Sequence, residues 1–173
     1  MFLTTHAAIG LIAAQKLKNP GIAFLIGLAL HYIADIIPHG DEEIAERGRD
    51  IGNRDMKVIL WTLIDAGFVL LLIYAFIIDI FPGDRTVLAM GVLGGILPDV
   101  LTNIYVEINK RIEIKKLKNY FLLRPIQSVL KFHLLIHNWF HQLLHKQVKL
   151  KHGLVTQFII LLIIIGLEFK FFF

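Results

Sequence analysis

Three side chains able to hold a metal stand at four-residue steps in His31-Tyr32-Ile33-Ala34-Asp35-Ile36-Ile37-Pro38-His39. Residues four apart on a helix differ by about 40° around its axis, so His31 and Asp35 share one stripe. Pro38 disfavours helix in its predecessor, and His39 joins from just past that end. Imidazole and carboxylate suit zinc, iron or manganese. The chain has no cysteine, so neither a disulfide framework nor a thiolate site is open to it, and the set points to a reactive metal site rather than a closed structural one.

Other residues extend this set. His6 follows Thr4-Thr5, and Asp99 follows Pro98 in a glycine-rich stretch, Gly94-Gly95-Ile96-Leu97-Pro98-Asp99. Asp99 reads as a metal bridge, as a carboxylate orienting a ligand histidine, or as a kink residue bonded to a neighbour. A ladder, His133, His137, His141 and His145, drifts by about 120° around a helix, so its four rings cannot share one ion. His137 and His141 are the preferred pair. The plainer reading is an interfacial helix whose histidines meet head groups while Trp139 and Phe140 dip inward. Asp65, inside an apolar run, is the candidate catalytic base, with a ligand or packing role as alternatives. Asp79 reads as an interface residue, and Glu42, Glu43 and Glu46 as a solvated loop. The expected metal ligands are therefore His6, His31, Asp35, His39, Asp99, His137 and His141.

These residues sit in a chain of 173 residues that is 56% hydrophobic, with a mean hydropathy of +0.67. That is too apolar for a soluble domain of this size, and one membrane-embedded domain is expected. Runs at 58–81 and 154–167 are continuous rather than alternating, which favours helices over a barrel. Helices are expected at 5–17, capped by Thr4 or Thr5 and stopped by Asn19-Pro20-Gly21, and at 22–37. Others are expected at 56–81, at 86–108 with Gly91-x-x-x-Gly95 for close helix approach, at 132–146 as an amphipathic interfacial helix, and as a last span. The fold class is thus an all-α membrane bundle of about five transmembrane or re-entrant helices. The N-terminus has no basic region ahead of its apolar run, unlike a cleaved signal peptide.

If the first four helices each cross, the 40–57 loop and the 107–152 region share a face holding fourteen of the eighteen Lys and Arg. Lys16, Lys18, Arg85 and Lys170 fall on the other. Positive charge marks the cytoplasmic side, so the expected location is an inner membrane with the site facing the cytoplasm. His6, His31, Asp35, His39, Asp99 and the late histidines then converge at one depth. Ionisable groups in a membrane are costly and read as functional. No nucleophile elbow, phosphate loop or dinucleotide fingerprint occurs. Nucleic acid is not an expected partner, since the cations near 110–118 suit anionic lipid, each adding about 1 kcal/mol.

Thr5-His6, Leu97-Pro98-Asp99 and the pair in His137-Asn138-Trp139-Phe140-His141-Gln142 resemble the membrane-bound metal-dependent hydrolases, also described as LexA-binding, inner-membrane-associated hydrolases. His31-x-x-x-Asp35 is similar to bacterial zinc-dependent phospholipase C, an all-helical enzyme with a zinc cluster. The late motif of the membrane-bound hydrolases, His-Arg-x-x-x-His-Ser, is one residue longer than the spacing here, and Leu101 stands where a second aspartate usually follows Pro-Asp. The resemblance implies a hydrolase. The expected function is metal-dependent cleavage of an ester or phosphoester in a lipid-like substrate, with zinc, or manganese or iron, as two ions. A metal or proton transporter and a non-catalytic membrane assembly protein are the alternatives.

Overall fold

The computed structural model describes residues 1–40, 56–78, 80, 83–115, 124–144 and 148–172. Among these the chain is all-α, with no strand. The helices are α1 (Leu3–Ala14), α2 (Pro20–Asp35), α3 (Met56–Ile77), α4 (Arg85–Lys115), α5 (Arg124–Gln142) and α6 (Leu150–Phe172).

Small residues at four-residue steps decide how α1, α2 and α4 meet. The stripes are His6–Gly10–Ala14 on α1, Ala23–Gly27–His31–Asp35 on α2, and Gly91–Gly95–Asp99 on α4. A Cβ on Gly10 would overlap the Gly91 carbonyl, one on Gly27 would overlap the same carbonyl, and one on Gly95 would overlap the His6 carbonyl. Backbones this close leave no room for a side chain between them. Gly10 and Ala14 lie against Gly91 while His6 lies against Gly95, so α1 runs antiparallel to α4. α2 runs parallel to α4, its Phe24 carbonyl at Gly94 and its His31 bonded to Gly95. Each glycine stripe ends in ligand-capable side chains, and the same close approach brings them together.

A small apolar core of Ala7, Leu11, Ala14, Ala23, Val87, Leu88 and Val92 fills the other end of this three-helix unit. Asn19 starts α2 by accepting from the backbone N–H of Gly21 (2.8 Å) and Ile22 (3.1 Å), with Pro20 following. These are the signals of a strong helix start.

Two expectations are corrected. Neither Thr4 nor Thr5 caps α1, which starts at Leu3 after Phe2 with no cap from the Phe2 side chain. The amphipathic helix starts at Arg124 rather than 132, because Pro125 suits a first turn. Of the described helices, one stretch, Arg85–Asn109 in α4, is long and apolar enough to cross a membrane. With 12 residues, α1 extends only about 18 Å, short of the ~30 Å hydrocarbon core. Among the described residues the apolar stretches of α2, α3 and α6 are Pro20–Asp35, Ile59–Ala75 and Leu150–Ile164.

α5 wears its polarity inside out. His133 and His137 face α4, and His141 faces Asp35. Ile126, Val129, Phe132, Leu135 and Trp139 form an exposed stripe on its outer side. Large apolar residues on α3 (Leu60, Leu63, Phe68, Leu71) and α6 (Val155, Phe158, Leu162) are exposed as well.

Candidate metal centre

Asp35 is the hub of a buried cluster. Its Oδ1 lies 3.0 Å from His6 Nε2, and its Oδ2 lies 3.0 Å from His31 Nε2, 3.3 Å from His137 Nε2 and 3.2 Å from His141 Nε2. His39 Nε2 is 3.8 Å from Oδ1. Asp99 flanks the group, its Oδ1 3.2 Å from His137 Nε2 and 4.0 Å from His31 Nε2, and its Oδ2 3.7 Å from His6 Nε2. The structure thus brings together His6, His31, Asp35, His39, Asp99, His137 and His141, from four separate stretches of chain.

Hydrogen bonds on the far side of two rings fix which nitrogen faces the carboxylates. His31 Nδ1 is 2.7 Å from the Gly95 carbonyl and His39 Nδ1 is 2.6 Å from the Ile37 carbonyl. A carbonyl only accepts, so both Nδ1 atoms carry the proton and a neutral ring turns a bare Nε2 lone pair inward. At His31 that lone pair meets the lone pairs of Asp35 Oδ2. His31 Nε2, Asp35 Oδ2 and both ring nitrogens of His6 are buried with no hydrogen-bond partner. Opposed lone pairs in a dry pocket are costly, and a cation between them removes the cost.

The spacing supports that cation. Ligand atoms about 2.1 Å from a metal, at angles from octahedral to tetrahedral, lie about 3.0–3.4 Å from one another. The short contacts at Asp35 and Asp99 fall in this range. Two groups keep their ligand atoms within 4.8 Å of one another: His31, Asp35, Asp99 and His137; and Asp35, His39 and His141. These buried His and Asp groups could hold a metal ion. Ring N–H bonds to backbone carbonyls, as at His31 and His39, are the usual outer support of ligating imidazoles.

Asp35, His39 and His141 also line a cavity of about 10 Å³, near the room of one water or small ion. The amino group of Met1 donates to Asp35 Oδ1 (3.0 Å) and His39 Nε2 (2.6 Å), so a cation already lies against this carboxylate. Burial opposes charge on His137, but the Asp35 and Asp99 carboxylates beside its Nε2 outweigh it and raise its pKa to about 9. A metal at this ring displaces the proton.

Asp65 is placed elsewhere. Its carboxylate accepts from the backbone N–H of Leu3 (2.8 Å) and Thr4 (3.0 Å) and from Thr4 Oγ1 (2.6 Å). A residue of α3 thereby caps α1, one turn from His6, and satisfies donors that every helix start leaves open. Asp65→Ala is expected to cost about 1–2 kcal/mol of stability and to leave the metal content of the folded protein unchanged. Unfolding and elemental analysis of one preparation check both.

Two contributors escaped the sequence reading. Gln157 of α6, 2 % exposed, accepts from Phe2 N (2.8 Å) and donates to the His39 carbonyl (3.1 Å). It ties the last helix to both ends of the site, and its one signal is a buried amide in an apolar run. Tyr32, beside His31, lies against the rings of His137 and Phe140. His145, Asp79, Glu42, Glu43 and Glu46 lie outside the described residues. No protein-family model, curated protein or solved structure matches the chain.

Proposed function

We propose that the protein is a metal-dependent hydrolase embedded in a membrane, acting on an ester or phosphoester of a lipid-like substrate. One observation carries the metal: the Asp35 carboxylate ringed by imidazole nitrogens at 3.0–3.3 Å, with opposed lone pairs that a cation between them would satisfy. Two ions fit the two ligand groups, with Asp35 shared. A bound zinc-class ion acidifies water and neutralises charge building on an ester oxygen.

The chain's residues supply the rest. His31 and His39 are oriented by the Gly95 and Ile37 carbonyls. Asp99, 16% exposed where Asp35 is fully buried, is the carboxylate a water can reach. In this reading Asp99 takes the water's proton, since the Asp65 carboxylate is engaged by α1. Substrate arrives on the side of Asp99 and His141, the two open members of the cluster.

The apolar exterior of α3, α5 and α6 and the span in α4 support a membrane as the surroundings. The sequence's charge bias supports a cytoplasmic site. The preference for phosphoester rests on resemblance and on the cations at 110–118.

Metal content of wild type beside His31→Ala and His137→Ala tests the reading. Wild type is expected to retain at least one zinc-class ion per chain, and each variant to lose most of it. Chelation is expected to abolish cleavage of a phospholipid probe, and added zinc to restore it. Wild type free of transition metal, with stability indifferent to chelator, would overturn the proposal in favour of a structural role.

A further inference from the structure

His133 has the same spacing to His137 as His137 has to His141, yet it makes different contacts. Its Nε2 lies 2.9 Å from the Pro98 carbonyl and 3.4 Å from Thr102 Oγ1. Its Nδ1 lies 3.3 Å from the Tyr32 hydroxyl. The carbonyl can only accept, so Nε2 carries the proton. Nδ1 then accepts, and the Tyr32 O–H donates to it. At His31 and His39 the proton sits on Nδ1 and Nε2 faces the carboxylates. At His133 the order is reversed, and both nitrogens are spent away from them.

Each member of this network is a short step from a ligand. Tyr32 follows His31 on α2, Pro98 precedes Asp99 on α4, and His133 is one turn before His137 on α5. The bonds therefore join the three helices at the positions where they deliver their ligands. The Tyr32 ring also lies 6.3 Å, centroid to centroid, from that of His137. We propose that His133 is no metal ligand but a positioning residue, which with Tyr32 and the Pro98 carbonyl clamps α2, α4 and α5 so that His31, Asp99 and His137 converge on one ion. This rests on the metal reading above and deepens it.

Partners of this kind tune metal affinity by about 10–100-fold when removed. The test uses the full-length protein, with Co²⁺ as probe, and follows both its affinity and the visible spectrum of the bound ion. His133→Phe is expected to weaken Co²⁺ binding 10–100-fold and shift the spectrum while leaving the number of ions bound unchanged. His133→Gln keeps a donor for the Pro98 carbonyl and is expected to recover most of the affinity. Tyr32→Phe, which removes only a hydroxyl, is expected to weaken binding about tenfold, and less than that when added to His133→Gln. Nitrogen-15 spectra of the histidines, with no metal added, are expected to place the His133 proton on Nε2 and those of His31 and His39 on Nδ1.

Co²⁺ binding unchanged in His133→Phe and Tyr32→Phe, or a His133 proton on Nδ1, would overturn the clamp while leaving the metal centre standing. Loss of one bound ion per chain in His133→Phe would overturn it by making His133 a ligand. Wild type that binds no Co²⁺ would remove the metal reading itself, and the clamp with it.

Discussion

Asp35→Asn is expected to lower the affinity for zinc at least 100-fold, about 2.8 kcal/mol, the largest loss of any single substitution in the cluster. The reason is position. The two oxygens of Asp35 face His6, His31, His137 and His141 at 3.0–3.3 Å, and the residue belongs to both ligand groups. An amide of the same shape keeps the packing. It replaces one oxygen by an N–H₂ that can donate to an imidazole nitrogen, so the cost of opposed lone pairs falls and the demand for a cation falls with it. Titration with zinc against a competing chelator measures the change, and thermal unfolding with chelator present checks that the fold survives. Binding within threefold of wild type would show that Asp35 is a hydrogen-bonding residue rather than a ligand.

Gly27→Ala is expected to destabilise the protein by about 3 kcal/mol and to weaken metal binding together with it. A Cβ there would overlap the Gly91 carbonyl and come within 3.1 Å of Gly95 N. These are backbone atoms, so α2 and α4 must separate, and overpacking of this kind costs about 1–3 kcal/mol or more. Gly27 is one turn from His31, whose ring bonds to Gly95 across the same crossing, so the ligand moves with the helix. Gly67→Ala is the control. A Cβ there meets nothing within 4 Å, and loss of backbone freedom in the unfolded chain should stabilise α3 by about 0.5–1 kcal/mol. Unfolding in detergent micelles, with zinc affinity measured on the same samples, distinguishes the two variants. Equal stabilities would mean that α2 and α4 do not cross as closely as described.

The parts of this molecule legible in the sequence are those set by local periodicity. The step from His31 to Asp35 fixes a shared stripe on any helix, and Pro38 fixes where that helix ends. Asn19-Pro20-Gly21 reads as the stop of the first helix, whereas in the structure the Asn19 side chain and the Pro20 ring also start the second. The contacts across helices were not legible. Asp65 lies 61 residues from Thr4, and nothing near Thr4 signals that a distant carboxylate will cap it, so Asp65 read as a base. Gly91-x-x-x-Gly95 marks one side of a close crossing, whereas Gly10 and Gly27 become its other sides only once three helices are assembled. The ladder of histidines is regular in spacing, and only contacts across helices, to the Pro98 carbonyl and the Tyr32 hydroxyl, distinguish His133 from His137. The number of spans is not legible either way, because apolar composition does not say whether a helix of 12 residues meets lipid or another helix.

α5 delivers His137 and His141 with its oily side turned out, so the medium around the protein is a partner in holding two members of the cluster. In bulk water, each of those outward residues would gain about 1.5–3 kcal/mol by leaving it. Rolling α5 by half a turn achieves that and swings both imidazoles away from Asp35. For a protein seated in a membrane as proposed, extraction into a poor detergent is expected to disturb the site before the fold, and return to an oily environment to restore it.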